Sequence, residues 1–180
     1  MGLGELVKQH KAAILKKWFD VVADAYQLET AGFLKNQKDP FANPVGNSLI
    51  RGMEGIIDEL AGGPEREAVI RFLDPVIRIR AVQDFSPSQA VGFILPLKKI
   101  IREFVKNQDR TLSVGEDLGE LEEQIDVLML LGFDIYMGCR ERLYDIKANQ
   151  EKSKVYKAFK RAGLLTETPD GDSGLAESNV

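Results

Sequence analysis

The chain has 180 residues, one cysteine, one histidine and a formal net charge of −4 from 24 basic and 28 acidic side chains. That length suits one domain with a real hydrophobic core, and the near-balance of charge gives no electrostatic case for nucleic acid. The lone Cys139 excludes an internal disulfide or a cysteine-based metal cluster, and a reducing compartment is the simple inference.

The N-terminus, Met1-Gly2-Leu3-Gly4-Glu5, has no basic segment leading into an apolar run. Leu6 stands where a myristoylation signal requires Ser or Thr. No apolar run is long enough to insert across a membrane. The expectation is a soluble cytoplasmic protein. From Thr166 the chain carries Glu167, Asp170, Asp172 and Glu177 and no Lys or Arg. Residues 166–180 therefore read as a disordered acidic tail on a domain of residues 1–165.

In chain order, a first helix from about Glu5 to Tyr26 places Leu6, Val7, Ile14, Trp18, Val21, Val22 and Ala25 on one face, with His10 at its edge. A short helix around Thr30 to Lys38 follows. Asp39-Pro40-Phe41-Ala42-Asn43-Pro44 reads as an ordered loop, because each proline forces the preceding residue out of the α region. Asn43 then caps a helix carrying Val45, Leu49, Met53, Ile56 and Leu60, which ends at Gly62-Gly63-Pro64. The next helix starts near Pro64 and carries Val69, Phe72 and Leu73. Asp74-Pro75 either kinks it or restarts it. Val76, Ile77, Ile79, Ala81 and Val82 bring the pattern to a corner.

That corner, Arg78 to Phe93, is the stretch around which the chain is organised. Ser86 is an N-cap, Pro87 occupies the first helical position, and Gln89 completes a capping box. One helix is expected from Pro87 to about Asn107, with Ala90, Val91, Ile94, Leu97, Ile101, Phe104 and Val105 in a stripe. Arg78, Arg80, Gln83 and Asp84 form a polar corner. It is either a well-capped junction with a local ion pair or a surface for sensing or partner binding.

Arg110 to Val114 reads as a loop. Ser113 and Glu116 make a second capping box for the longest helix, Val114 to Arg161. Glu116, Asp117, Glu120, Glu122 and Glu123 crowd its start, and lysines and Arg161 crowd its end, which suits the helix dipole. Leu118, Leu121, Ile125, Leu128, Gly132, Ile135, Cys139, Arg142 and Ile146 alternate three and four apart, as in a coiled-coil seam. A second apolar face includes Val127, Leu130, Leu131 and Met137, so the helix must be covered on more than one side. Gly132 and Gly138 would let another helix approach. The fold class is all-α, with about six helices and no strand pattern.

Catalysis needs convergent groups, and only His10 is available to serve a nucleophile. Cys139 lies in an apolar stretch and reads as a buried, inert thiol. No phosphate loop, dinucleotide fingerprint or His-Glu-x-x-His pair is present. The acidic cluster reads as a solvated helix start rather than a metal site. The basic end, Lys147 to Arg161 with Val155, Tyr156 and Phe159, is amphipathic. It reads first as a solvated helix end, and then as a surface for a protein or an anionic membrane.

Lys17-Trp18-Phe19, Phe41-Ala42-Asn43-Pro44, the corner from Arg78 to Phe93, and Phe133-Asp134-Ile135-Tyr136-Met137 with Cys139-Arg140-Glu141 carry a resemblance. Over most of Glu5 to Leu165 the chain resembles the N-terminal sensory domain of the RsbR/RsbRD family, the RsbT co-antagonists of bacterial stress signalling. The resemblance implies a globin-like helical fold without haem, usually dimeric, that feeds a signal through its final helix into a C-terminal STAS domain. Here the sequence ends in a short acidic tail after that helix, so assembly through such a domain is not expected. The residues agree on haem, because no His, Tyr, Cys or Met lies between Glu65 and Asp84, where a proximal ligand would stand.

The resulting expectation is a non-enzymatic sensory or adaptor domain without cofactor or metal, acting as a homodimer on an unknown signalling partner. Gly132, Ile135, Cys139 and Arg142 would line the dimer helix. The alternative is a carrier or sensor of an apolar small molecule such as a fatty acid.

Overall fold

The structure is a computed structural model that describes residues 2–37, 39–83, 85–106 and 114–164, with side chains from 117 onward in the last stretch. Asp84, the Arg110 loop, the Ser113–Glu116 box and the tail from Thr166 lie outside the described residues or side chains. The described residues form eight helices and no strand: α1 (Leu3–Gln9), α2 (Lys11–Asp24), α3 (Leu28–Asn36), α4 (Pro44–Gly62), α5 (Arg66–Val82), α6 (Pro87–Gly92), α7 (Pro96–Lys106) and α8 (Val114–Arg161). The class is all-α with a long C-terminal helix, as the patterning requires.

Two long helices of the sequence reading are each divided. The first breaks at His10, whose φ of −101° and ψ of 10° leave the helical region. Its N–H still bonds to Leu6, and its carbonyl accepts from Ala13 and Ile14. These bonds carry the chain through the turn. The second break separates α6 from α7 at residues 93–95. Pro96 is the cause, because it has no N–H to donate and disfavours the α conformation at Leu95. By contrast, α5 runs unbroken through Pro75. Leu73, Val76 and Ile77 are fully buried around that exposed proline, and their packing holds the helix together.

Caps and close contacts set the angles between helices. Asn43 accepts from the Gly46 N–H at 2.8 Å and donates to the carbonyls of Leu34 and Gln37. One buried amide thus closes α3 and opens α4. Helix α4 lies tight on α5 through Gly52 and Gly55. A Cβ at Gly52 would come within 2.7 Å of the Phe72 carbonyl oxygen, and one at Gly55 would fall inside the Phe72 ring contact distance at 2.2 Å. Gly63 ends α4 with a φ of +92°, which glycine adopts freely.

The chain divides into two compact units, Met1–Glu141 and Arg142–Val180, with the division inside α8. The hydrophobic core lies in the first unit. Trp18, Leu49, Met53, Ile56, Leu73, Ile77 and Ile94 are its fully buried centre. From α8, Leu121, Ile125, Leu128, Leu131, Tyr136 and Cys139 join them. Arg102 pairs with Glu122, and Lys98 with Asp126 at 2.6 Å, which ties α7 to α8 at the surface. In the second unit, Tyr144, Ile146, Val155, Tyr156 and Phe159 are exposed along the helix.

Candidate functional site

The corner between α5 and α6 is built around Arg80. The residue follows Val76 and Ile77 on the inward face of α5, so the helix carries its side chain into the core. It is only 1% exposed. Three rings surround the guanidinium, with centroids at 4.3 Å for Phe85, 5.2 Å for Phe93 and 5.5 Å for Tyr26. Ring faces attract a cation, by about 0.5–2 kcal/mol each depending on desolvation. One N–H group, on Nη2, donates to the Gln89 carbonyl at 3.0 Å. Among the described residues, Nε and Nη1 have no hydrogen-bond acceptor. Burial pulls the Arg80 pKa below its ordinary value, opposed in part by the neighbouring Tyr26 phenol. Burial likewise pushes the Tyr26 phenol up, with Arg80 opposing.

The backbone of the corner is held by side chains from three helices. Arg140 donates to the Ala81 carbonyl at 3.2 Å and Tyr136 to the Phe85 carbonyl at 2.7 Å. Arg80 takes Gln89, and Trp18 takes Phe93 at 2.7 Å. Carbonyls at helix ends and in connections lack helical donors, and leaving one buried and unmet costs about 1–3 kcal/mol. Tyr26 completes the outer edge by donating its hydroxyl to Gln83 Oε1 at 3.0 Å, with its ring edge-on to Phe85 at 5.1 Å.

The structure therefore separates the residues that the sequence grouped. Arg80 and Gln83 belong to the corner. Arg78 is exposed and pairs with Asp74 one turn back on α5. Asp84 lies outside the described residues, and no ion pair within the described residues involves Arg80. Sequence reasoning did not assign Trp18, Tyr26, Phe85, Phe93, Tyr136 and Arg140 to this site. The four-residue spacing of Tyr136 and Arg140 on α8 was the available signal.

Of the α8 seam, Gly132, Ile135 and Cys139 face the protein's own core. Gly132 and Cys139 are buried there and Ile135 packs against it. A Cβ on Gly132 would lie 3.2 Å from Val91 Cγ1, so this glycine admits α6 rather than a second chain. Arg142 is exposed in the second unit. The opposite face of α8 remains open: Val127, Leu130, Phe133 and Met137 are exposed, Leu130 by 68%.

The His10 ring lies against Phe104, tilted by 30° with centroids 5.4 Å apart. Among the described residues no group of three or more His, Cys, Asp or Glu is placed to hold a metal ion. Among them, too, no helix is long and apolar enough to cross a membrane.

The described residues thus form an all-α domain with a buried polar corner between α5 and α6. The sequence profile of the RsbT co-antagonist protein rsbRD N-terminal domain matches residues 12–150. The chain belongs to that family, whose members are sensory N-terminal domains of stress signalling. No curated protein and no solved structure matches the chain.

Proposed function

We propose that the protein is a non-enzymatic cytoplasmic sensory or adaptor domain that works as a homodimer, with the final helix as its output. The observation that carries the reading is the apolar strip on α8. Val127, Leu130, Phe133 and Met137 fall three, three and four residues apart, on the face turned away from the core. Monomers rarely expose such contiguous apolar surface. A two-fold partner returns the same strip, so one surface satisfies itself. A shift at the α5–α6 corner would reach this helix through Tyr136 and Arg140, which touch the corner from α8.

Sedimentation velocity tests the dimer. Wild type at about 50 µM, well above common dimer dissociation constants, should sediment as a dimer. Leu130→Glu should sediment as a folded monomer. A monomeric wild type would end the reading.

A second reading, the carrier of an apolar molecule, is supported by a groove of about 570 Å³ in which Leu60, Val69, Val127, Leu128 and Leu131 meet the exposed Arg66, Glu120 and Glu123. That volume suits a small ligand. Native mass spectrometry of the purified protein should reveal a bound passenger if this reading holds, and only the bare chain if it does not.

A further inference from the structure

The charges of α8 are sorted by end. From residue 116 to 126 the sequence carries Glu116, Asp117, Glu120, Glu122, Glu123 and Asp126 and no Lys or Arg. From residue 147 to 161 it carries five lysines and Arg161 against Glu151 alone. The helix dipole favours that order, but its effect fades within the first and last turns, and both charged stretches are longer than one turn. Two such helices side by side and parallel would set like charges together at both ends, which is costly. Antiparallel, each acidic start meets a basic end.

Each end also offers an apolar surface. At the acidic end lies the groove of about 570 Å³ described above, with Val127 in its wall and the exposed Glu120, Glu123 and Arg66 as its charged lining. Asp117 and Glu120 line a smaller hollow that shares Leu60 and Gly63 with it. Glu122 and Asp126 are taken by Arg102 and Lys98. Among the described residues, Asp117, Glu120 and Glu123 have no ion pair. At the basic end, Ala148, Glu151, Lys152, Val155, Tyr156 and Phe159 share one face at three- and four-residue steps. Lys152, Tyr156 and Lys160 follow one another at four-residue steps along an edge of that face. Every residue from Tyr144 to Leu164 is exposed.

We propose that the groove of one copy receives the basic end of α8 from a second copy, so that two chains exchange their last helices antiparallel about a two-fold axis. Val155, Tyr156 and Phe159 enter the groove, and the lysines beside them meet its acidic rim. Glu151, the one anion on the stripe, matches Arg66, the one cation among the described lining residues. The occupant comes from another chain, because α8 runs unbroken from Val114 to Arg161 and cannot fold back beside its own start. Residues 120–131 of one copy opposite 148–159 of the other form the same contact twice under one two-fold axis. Val127 belongs both to the groove and to the exposed strip of the dimer reading, so the two surfaces are continuous. An anionic membrane would take the lysines, but it gives no role to the acidic start or to Arg66. The inference rests on the dimer reading and adds to it a direction and a second contact.

The test is charge reversal in the full chain, read by sedimentation velocity at about 50 µM. Glu120→Lys with Glu123→Lys makes the groove rim basic. Lys152→Glu with Lys160→Glu makes one edge of the helix end acidic. All of these side chains are exposed, so circular dichroism should be unchanged. Each double variant alone should be a monomer, its dimer weakened roughly 100-fold. The equimolar mixture should be a dimer, because each groove then meets a helix end of opposite sign. The wild-type dimer should weaken roughly tenfold or more between about 0.05 M and 0.5 M sodium chloride. Either variant dimerising as tightly as wild type overturns the proposal, and so does a mixture that stays monomeric. If a variant does not fold, the wild-type salt response decides, and a dimer indifferent to salt overturns it. A wild-type monomer that floats with phosphatidylglycerol vesicles would give the basic end to a membrane and end both this proposal and the dimer reading. A dimer lost in Leu130→Glu but kept in both charge variants ends this proposal alone.

Discussion

Trp18 donates its indole N–H to the Phe93 carbonyl across 2.7 Å, while the two rings stack with centroids 5.9 Å apart. The contact exists because the helix is interrupted. In an unbroken helix the Phe93 carbonyl would accept from residue 97, but the Leu97 N–H bonds to Ile94. The freed carbonyl is buried, and the indole supplies its donor. Trp18→Phe keeps a ring and removes that donor. It should cost about 2–4 kcal/mol, from the smaller ring and the unmet carbonyl together. Urea denaturation followed by circular dichroism measures it, since the variant lacks the only tryptophan. A cost below about 0.5 kcal/mol would mean that another donor replaces the indole.

Ser86 and Gln89 cap α6 reciprocally. The Gln89 N–H donates to Ser86 Oγ at 3.3 Å, and the Ser86 N–H donates to Gln89 Oε1 at 3.1 Å. Ser86→Ala should cost about 0.5–2 kcal/mol. Among the described residues, the Ser88 hydroxyl reaches only the Ser86 hydroxyl, at 3.2 Å, so Ser88→Ala should cost clearly less. Equal losses in thermal denaturation would place the start of the helix elsewhere.

The parts of this fold legible in the sequence are those with a local cause. Asn43-Pro44, Ser86-Pro87 and Gly62-Gly63 punctuate the chain as their chemistry requires, and the structure follows them. The divisions at His10 and Pro96 were not read. A single proline after Ile94-Leu95 looked like part of an apolar stripe, although its missing N–H was sufficient reason to stop. The corner was legible as a stretch but not as a site. That Arg80 turns inward while Arg78 turns outward follows from helical phase, since two residues are about 200° apart. That Tyr26, Phe93 and Tyr136 converge on it is tertiary information, carried by no local pattern. In α8, Gly132, Ile135 and Cys139 pack on the domain itself where the sequence suggests a dimer seam, because which side of the helix the domain covers depends on where α5 and α6 lie.

The Tyr26 phenol should titrate late. Burial raises its pKa above the ordinary 10.0, and the Arg80 charge opposes the rise without cancelling it. The folded state therefore favours the neutral phenol more than the unfolded chain does. This contribution to stability is fully present below pH 10 and is lost as pH rises through the folded value. Absorbance at 295 nm (a phenolate signal) should show a late-titrating component that disappears in Tyr26→Phe. In alkaline denaturation the wild type should lose stability relative to Tyr26→Phe above pH 10. Identical alkaline limbs would show that the phenol is not buried against Arg80.

Gly132 and Gly138 should respond oppositely to the same substitution. Both lie in the apolar part of α8, and both remove a side chain from a helix. The surroundings differ. A Cβ at Gly132 meets Val91 at 3.2 Å, Ile94 at 3.4 Å and Ile77 at 3.5 Å, all at side-chain tips. A single methyl there asks those tips to give by a few tenths of an ångström, and the gain in helix propensity of about 1 kcal/mol offsets much of that strain. Gly132→Ala should therefore lie near neutral. Gly132→Leu adds three more carbons to a filled space between α5, α6 and α8, and should cost about 1–3 kcal/mol or abolish folding. At Gly138 a Cβ meets nothing within 4 Å. Gly138→Leu should keep the unfolding transition intact and raise its midpoint, by the roughly 0.5–1 kcal/mol that glycine costs in a helix. Sedimentation of the same variants then separates fold from partner. A changed oligomeric state in Gly138→Leu, with its unfolding transition intact, reports on a surface outside the domain. A destabilised Gly138→Leu beside an unaffected Gly132→Leu would reverse the assignment and turn α8 about its axis.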